Sequence, residues 1–356
     1  MKIYQIIKWL EGIELRRVFK HLKKESVVVK GATLTEDEKE CSTKYWKRYG
    51  VKLDAVDFMN IAAYKLCRGV YNENFFPSYF FYTYIKSYLN NQECALILGN
   101  KALFKGLLPD LIHPHTQLTR ISGSPLLDVN YNPIDWKQFV ASLDETTDYI
   151  FKPGLGTTSC KGIKVFAKKD VEIIKQDVSN TANFVVQRFL KESKAFAPFK
   201  SLSLATIRVF TLYYGDHPQV TSSCLRVEQT NKKILSQEGE LYIPIGRDGV
   251  LAESGFNNNL DHIIVKDEIN GFKFKGFKVP SYQKVVDAAL KAALRYRNIK
   301  FIGWDFAIDE NDNPVFIECN LEQSGAGLLQ VCAHEKGAFG EYTDEILQHS
   351  FDKRHH

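Results

Sequence analysis

Two short apolar segments near the C-terminal end, Phe301–Ile308 and Pro314–Asn320, carry the acidic residues that most constrain this chain. Both have the composition of strands, and the polar run between them is typical of a turn. Because side chains alternate between strand faces, Glu318 and Asn320 share one face, while Asp305 lies on the neighbouring strand. Carboxylates in apolar strands are costly unless their charge is compensated. Oxygen ligands of this kind suit Mg²⁺, but a hairpin with solvated acidic residues also fits the pattern.

Length, hydropathy and cysteine usage indicate an ordinary globular protein. The chain has 356 residues, enough for two or three packed units. No apolar stretch approaches the roughly 20 residues of a membrane span, and a signal peptide is not expected from the first residues. Seven cysteines without a C-x-x-C pair favour reduced thiols over a disulfide framework or a zinc site. These features predict a cytoplasmic location.

The positive charge is concentrated at the N-terminus. Residues 1–30 contain eight Lys or Arg and three Glu, which equals the net charge of +5 for the whole chain. The balanced remainder argues against a nucleic acid partner. Apolar residues at helical spacing predict a basic amphipathic N-terminal helix over 1–30. Such a helix either packs on its own domain or contacts, through residues 1–24, an anionic membrane surface or a protein partner.

The remaining chain divides by composition. Aromatic residues dominate 31–95, which predicts a helical region with a buried aromatic core. Ala95–Gly99 is interpreted as a buried strand with Lys101 at its end. Strands and helices then mix, which predicts an α+β fold, and residues 346–356 are expected to form a polar tail.

A glycine-rich segment, Gly154–Gly162, lies between the predicted strands Tyr149–Pro153 and Ile163–Phe166. Glycines let backbone N–H groups close on an anion. The spacing excludes a P-loop, and the strand that follows excludes a dinucleotide-binding fingerprint. The segment is therefore interpreted as a hairpin lid over phosphate, with Lys152 before it and Lys161 inside it, although many such hairpins are simple turns.

Three further strands carry candidate polar contacts. Asn183–Leu190 is apolar and turns polar at its end, so its backbone could meet an adenine edge, although such a segment is also an ordinary core strand. Thr206–Thr211 and Ser223–Val227 place Arg208 and Arg226 in apolar surroundings. An arginine there needs an anion, either a bound phosphate or carboxylate or a neighbouring Asp or Glu.

The order of these features resembles the ATP-grasp superfamily, and most closely its sugar-transfer-associated proteins of capsule and surface-polysaccharide biosynthesis. The resemblance covers roughly residues 40–335. It implies an aromatic-rich helical region before an ATP-grasp domain over 96–345, in which a lid-bearing subdomain (about 110–190) and a metal-bearing subdomain (about 191–345) clasp ATP. The motifs that carry it are Tyr45-Trp46-Lys47-Arg48-Tyr49-Gly50, Phe76-Pro77-Ser78-Tyr79-Phe80, Lys152-Pro153, Thr206-Ile207-Arg208, Gly303-Trp304-Asp305 and Glu318-Cys319-Asn320.

The resemblance also implies roles for individual residues, with ATP and one or two Mg²⁺ ions as cofactors. The metal ligands would be Asp305, Glu318 and Asn320. Arg208, Arg226 and Lys152 would neutralise charge on the transferred phosphoryl group. The nucleotide-binding residues would be Lys101, Lys152, Gly156, Ser159, Lys161, Gly162, Gln187, Arg188, Phe189 and Leu190.

The activity that the resemblance implies is a carboxylate–amine ligase that works through an acyl phosphate. It would join an amino acid or amine to a uronic acid or amino sugar of a surface polysaccharide. Two alternatives stay open: a phosphotransferase of the same fold acting on a sugar or cell-envelope precursor, and a nucleotide-binding accessory protein. The accessory protein would dock on a glycosyltransferase or a membrane through residues 1–24, at the inner face of the membrane.

Overall fold

A computed structural model describes residues 32–155, 162–236, 238–257, 263–321 and 325–352. This part of the chain contains two main antiparallel sheets and a helical region, which confirms the predicted α+β class. The predicted helix over 1–30 lies outside the described residues. Within those ranges, none of the helices is both long enough and apolar enough to cross a lipid bilayer.

Local hydrogen bonds fix where the first two helices begin. Thr35 and Glu38 cap each other reciprocally at the start of the first, and Asp54 and Asp57 do the same at the second. The second helix ends at Gly69, whose φ of 77° suits a residue without a Cβ atom. The α-helices are α1 (Glu36–Lys47), α2 (Ala55–Arg68), α3 (Ser78–Phe80), α4 (Lys86–Leu89), α5 (Gln92–Leu98), α6 (Phe104–Leu107), α7 (Trp136–Ala141), α8 (Lys175–Asn180), α9 (Tyr282–Arg295), α10 (Ala326–Val331) and α11 (Thr343–Asp352), with a π-helical turn at Phe81–Ile85 between α3 and α4 and 3₁₀ turns at Lys101–Leu103, Lys168–Ile174, Lys194–Phe199 and Gly340–Tyr342.

The N-terminal helices share an aromatic core with α11. Trp46 is fully buried, and its indole N–H donates to the carbonyl of Phe75 at 3.0 Å. Phe351 of α11 packs edge-on against Trp46 at 5.8 Å between ring centroids. The prediction of a polar tail is therefore wrong for residues 346–352, because Ile346, Leu347 and Phe351 are buried on one helix face. Residues 353–356 lie outside the described ranges.

The predicted buried strand at Ala95–Gly99 is also wrong, because these residues complete α5. Asn91 caps this helix by accepting a backbone N–H of its first turn at 2.9 Å. Leu96 and Ile97 are 57% and 61% exposed. A short apolar run does not distinguish a helix from a strand by periodicity alone. Lys101 follows in a 3₁₀ turn. Helix α5 runs across 95/96, the boundary predicted between the aromatic-rich helical region and the following domain. The predicted bounds of the two subdomains stay predictions.

The smaller sheet has the strand order β1-β4-β2-β3. Its register pairs Lys152 with Val185 and Ile150 with Gln187, so these four side chains share one face. The other face holds a separate apolar core that includes Phe151. The strands are β1 (Thr116–Arg120), β2 (Asp148–Pro153), β3 (Lys164–Ala167) and β4 (Phe184–Arg188).

The larger sheet has the order β13-β12-β5-β6-β7-β8-β9. Helix α9 covers one face, where Trp304 is buried. On the opposite face Phe210 stacks on Phe301 at 5.7 Å, and Phe81 of the π-helical turn packs on Phe301 at 6.0 Å, which joins the sheet to the aromatic core. The strands are β5 (Thr206–Tyr214), β6 (His217–Glu228), β7 (Glu240–Pro244), β8 (Gly255–Phe256), β9 (Val265–Lys266), β12 (Phe301–Ile308) and β13 (Pro314–Asn320), and β10 (Glu268–Ile269) pairs separately with β11 (Phe272–Lys273).

Candidate functional site

The sequence-predicted polar residues of β12 and β13 meet on one face of the larger sheet. Asp305 lies directly opposite Glu318, and Gly303 lies opposite Asn320. Since paired residues project to the same side, both carboxylates and the amide converge as the strand pattern predicts. The register shifts immediately after Asp305, and the pairing resumes between Phe306 and Phe316, so a bulge lies beside the acidic pair. Cys319 faces the opposite side, as expected.

On the other side of β12, Asp305 lies opposite Arg208 of β5. Arg226 of β6 contacts the same carboxylate. Arg208 donates from Nε to Asp305 Oδ1 at 2.7 Å and from Nη2 to Oδ2 at 2.6 Å. Arg226 Nη1 lies 2.5 Å from Oδ2, and Asn320 Nδ2 lies 3.3 Å from it. Burial alone would raise the pKa of Asp305, but the two guanidinium groups outweigh it and hold that pKa below its usual range.

The structure adds an acidic residue that sequence reasoning missed. Glu240 of β7 accepts Arg226 Nε at 2.5 Å through Oε1, and its Oε2 accepts the hydroxyl of Tyr242 at 2.5 Å. Glu240 and Tyr242 are 7% and 6% exposed. The alternation of these polar residues with Leu241 and Ile243 was a signal that could have placed them on one face. Arg226 is thereby held between two carboxylates.

Lys101 and Glu318 form a separate ion pair of the site, with Nζ and Oε2 3.1 Å apart. Burial would lower the pKa of Lys101, but the charge of Glu318 raises it above its usual value, so the amine stays protonated. Glu318 keeps 28% of its side chain exposed, against 2% for Asp305. The Glu318 carboxylate is therefore the one that remains accessible to a ligand.

Lys101 also fixes the start of the glycine-rich hairpin. Its backbone N–H donates to the carbonyl of Gly154 at 3.0 Å. A Cβ atom at Gly154 would lie 2.6 Å from Asn100 Oδ1 and 2.9 Å from Asn183 Cβ, so glycine is required there. At the far end, Gly162 has a φ of 77°. The predicted nucleotide contacts Gly156, Ser159 and Lys161, like Cys160, lie outside the described residues.

A cleft with about 760 Å³ of open space separates the two sheets. Four of the sequence-predicted nucleotide-binding residues line it: Lys152, Arg188, Phe189 and Leu190. Gln187 and Lys101 line a smaller neighbouring cavity of about 410 Å³. The larger cleft is also lined by Ile150, Leu204, Thr206, Arg226, Asp305 and Glu318.

The donor set at this cleft consists of carboxylate and amide oxygens, which fits Mg²⁺ better than a softer metal. Glu318 reaches the cleft with Lys101 as its ion-pair partner. Asp305 is shared by two arginines and would have to exchange one of these contacts to bind a cation. Within the described ranges, no group of three or more His, Cys, Asp or Glu side chains could hold a metal ion on its own. A bound Mg²⁺ would therefore need oxygens from water or ligand phosphates.

Comparison with known proteins gives a family match and several similar solved structures. The profile of the sugar-transfer associated ATP-grasp family matches residues 81–345. No curated protein matches the chain.

Several solved structures are similar to the chain at low identity. The ATP-grasp ligase PsnB, complexed with a minimal precursor, is 16% identical with a TM-score of 0.40; the match covers 75% of this chain and 63% of that one, so the chain spans less than two thirds of that protein. The D-cycloserine synthetase DcsG is 13% identical over 74% of this chain and 71% of that one, with a TM-score of 0.43. D-alanine–D-alanine ligase from Bacillus anthracis is 13% identical over 75% of this chain and 71% of that one, also with a TM-score of 0.43.

The family profile covers well over half of the chain and includes every residue of the ion pairs of the site. The protein therefore belongs to the sugar-transfer associated ATP-grasp family.

Proposed function

We propose that the protein is an ATP- and Mg²⁺-dependent carboxylate–amine ligase. The observation that carries this proposal is the cleft between the two sheets, into which Lys152, Arg226, Asp305 and Glu318 all project. An apolar wall that includes Phe189 and Leu190 suits a base, and the charged residues suit a triphosphate and its metal. The association of the family with sugar transfer supports a saccharide-linked substrate.

The charges of the site support phosphoryl transfer. Asp305 and Glu240 compensate Arg226 and Arg208, and Glu318 compensates Lys101. Lys152 and Arg188 are further cations at the cleft. A triphosphate brings several negative charges, which these cations and a bound Mg²⁺ would neutralise together.

In the proposed reaction, an oxygen of the substrate carboxylate attacks the γ-phosphorus of ATP, and the bond to the β,γ-bridging oxygen breaks to release ADP. An amine then attacks the acyl carbon, phosphate leaves as the carbon–oxygen bond breaks, and the amine proton passes to solvent or base. Mg²⁺, held by Glu318 and Asn320 with Asp305 beside them, would supply charge neutralisation at the phosphates. The proposed role of the chain itself is to position the reactants, with Arg226 in the cleft, and Arg208 beside it on the same carboxylate, neutralising the charge that develops.

Phosphorus NMR of the protein with Mg-ATP and a small-molecule extract of the source cells tests this function. A ligase produces ADP together with free phosphate, a phosphotransferase leaves a new phosphoester signal, and an accessory protein binds ATP without consuming it. Glu318→Gln should abolish the consumption of ATP. The matched control is Glu310→Gln, because Glu310 is exposed in the turn between β12 and β13. Equal ATP consumption by Glu318→Gln and wild type would refute the assigned site.

A further inference from the structure

The hydroxyl of Thr206 is a buried polar group without a hydrogen-bond partner among the described residues. Thr206 begins β5, is 6% exposed and lines the cleft. Buried polar groups in folded proteins are nearly always paired, since an unpaired one destabilises the fold. An unpaired hydroxyl in the wall of an open cleft points to a partner that arrives with a ligand.

The register of the larger sheet places Thr206 next to the charged residues. Thr206 lies opposite Arg226, and Arg208 lies opposite Asp305. Thr206 and Arg208 share a face because they are two residues apart in one strand, a separation of about 6.6 Å. Thr206 is therefore one side-chain position away from the Arg208–Asp305 pair.

On its other side, Thr206 adjoins the segment that connects the two sheets. Ala205 donates its backbone N–H to Glu192 at 2.5 Å, and Ser193 donates its own to the carbonyl of Ile308 at 3.0 Å. This segment follows Phe189 and Leu190, which line the cleft. Thr206 therefore shares one cleft with an apolar wall and a charged cluster.

We propose that the Thr206 hydroxyl binds a ribose hydroxyl of the nucleotide and makes the site selective for ribonucleotides. This inference rests on the proposed binding of ATP. The sugar of a nucleotide separates its base from its phosphates, so a base against the apolar wall and phosphates at the charged cluster leave the sugar facing Thr206. A threonine hydroxyl can both donate to and accept from an alcohol, which a valine of the same shape cannot.

The sheet offers a matched control in Thr221 of β6. Thr221 is 4% exposed, and its hydroxyl also has no partner within the described ranges. Thr221 is absent from the lining of the cleft. Thr221→Val therefore makes the same chemical change in the same sheet without altering the proposed contact.

The test is calorimetric titration of Mg-ATP, Mg-2′-deoxy-ATP and Mg-3′-deoxy-ATP into wild type, Thr206→Val, Thr206→Ser and Thr221→Val. Wild type, Thr206→Ser and Thr221→Val should bind ATP more tightly than at least one deoxynucleotide, by about three- to tenfold, as for a single hydrogen bond. Thr206→Val should weaken the binding of ATP by that factor and leave the affinity for the same deoxynucleotide unchanged. The variant would therefore no longer discriminate between the two nucleotides.

Two results would overturn the ribose contact while leaving ATP binding in place. One is wild-type affinity and discrimination in Thr206→Val. The other is an equal loss of affinity in Thr206→Val for ATP and for both deoxynucleotides, which would assign the hydroxyl to a phosphate instead. Failure of wild type to bind ATP at all would overturn the proposed function, and this inference with it.

Discussion

Arg208 and Asp305 form a bidentate ion pair across neighbouring strands, with Nε–Oδ1 and Nη2–Oδ2 distances of 2.7 and 2.6 Å. Arg226 shares the same carboxylate from a third strand. All three side chains are largely buried, so none can regain full hydration if a partner is removed. The pair therefore orders the charges of the cleft and also contributes to the stability of the sheet.

We expect Asp305→Ala to lower the free energy of unfolding by about 3–5 kcal/mol, because it leaves two buried guanidinium groups without their shared anion. Denaturant titration measures this change. Asp287→Asn on the exposed surface of α9 is the control and should stay within about 0.5 kcal/mol of wild type. A stability of Asp305→Ala equal to that of the control would mean that the arginines are solvated.

The convergence of Asp305, Glu318 and Asn320 was predictable from sequence because strand alternation and a short turn are local properties. The partners of Arg208 and Arg226 were not, since the alternatives of a ligand anion and a nearby carboxylate depend on the pairing of distant strands. The chain separates Arg208 from Asp305 by 97 positions.

The two errors of sequence reasoning have a related cause. The apolar run Ala95–Gly99 is too short to show either a helical or a strand periodicity. The side chain of Asn91 caps the helix that contains this run and so favours the helical conformation. The burial of α11 depends on Trp46 at the opposite end of the chain, so no local pattern around Phe351 could identify its partner.

Lys101→Met should weaken the binding of Mg-ATP about tenfold or more, because it removes a buried cation that also holds Glu318. Calorimetric titration of the nucleotide measures this loss. Lys291→Met is the control, since Lys291 is exposed on α9, which covers the opposite face of the sheet. Wild-type affinity in Lys101→Met would place the phosphates elsewhere.

The stability of the ligand-free protein should depend on pH through Glu192. Burial raises the pKa of this carboxyl from 4.5 to about 7, despite the hydrogen bond from the Ala205 N–H. The folded state therefore holds a proton that the unfolded state has lost, and Glu192 lowers stability progressively as pH rises from 4.5 to about 7. Above that range its effect is constant.

Glu192→Gln keeps an acceptor for the Ala205 N–H and cannot ionise. The variant should melt at a higher temperature than wild type at pH 8 and at a similar temperature at pH 5, a difference that thermal unfolding at the two pH values measures. Glu310→Gln, in the exposed turn, should show no such dependence. A constant difference between Glu192→Gln and wild type across this range would indicate that Glu192 ionises normally in the folded state.

The C-terminal helix should be an integral part of the fold. The ring of Phe351 lies 5.3 Å from that of Phe80 and 5.0 Å from that of Tyr84, in addition to its contact with Trp46. Phe351→Ala should lower the free energy of unfolding by about 3–5 kcal/mol, as for other buried aromatic residues. Phe351→Leu keeps most of the volume and should cost less than about 1.5 kcal/mol. Denaturant titration with Leu294→Ala, at a 41% exposed position on α9, as the control would separate cavity formation from a general effect of truncation. If Phe351→Ala were as stable as that control, α11 would not be packed on the aromatic core in solution.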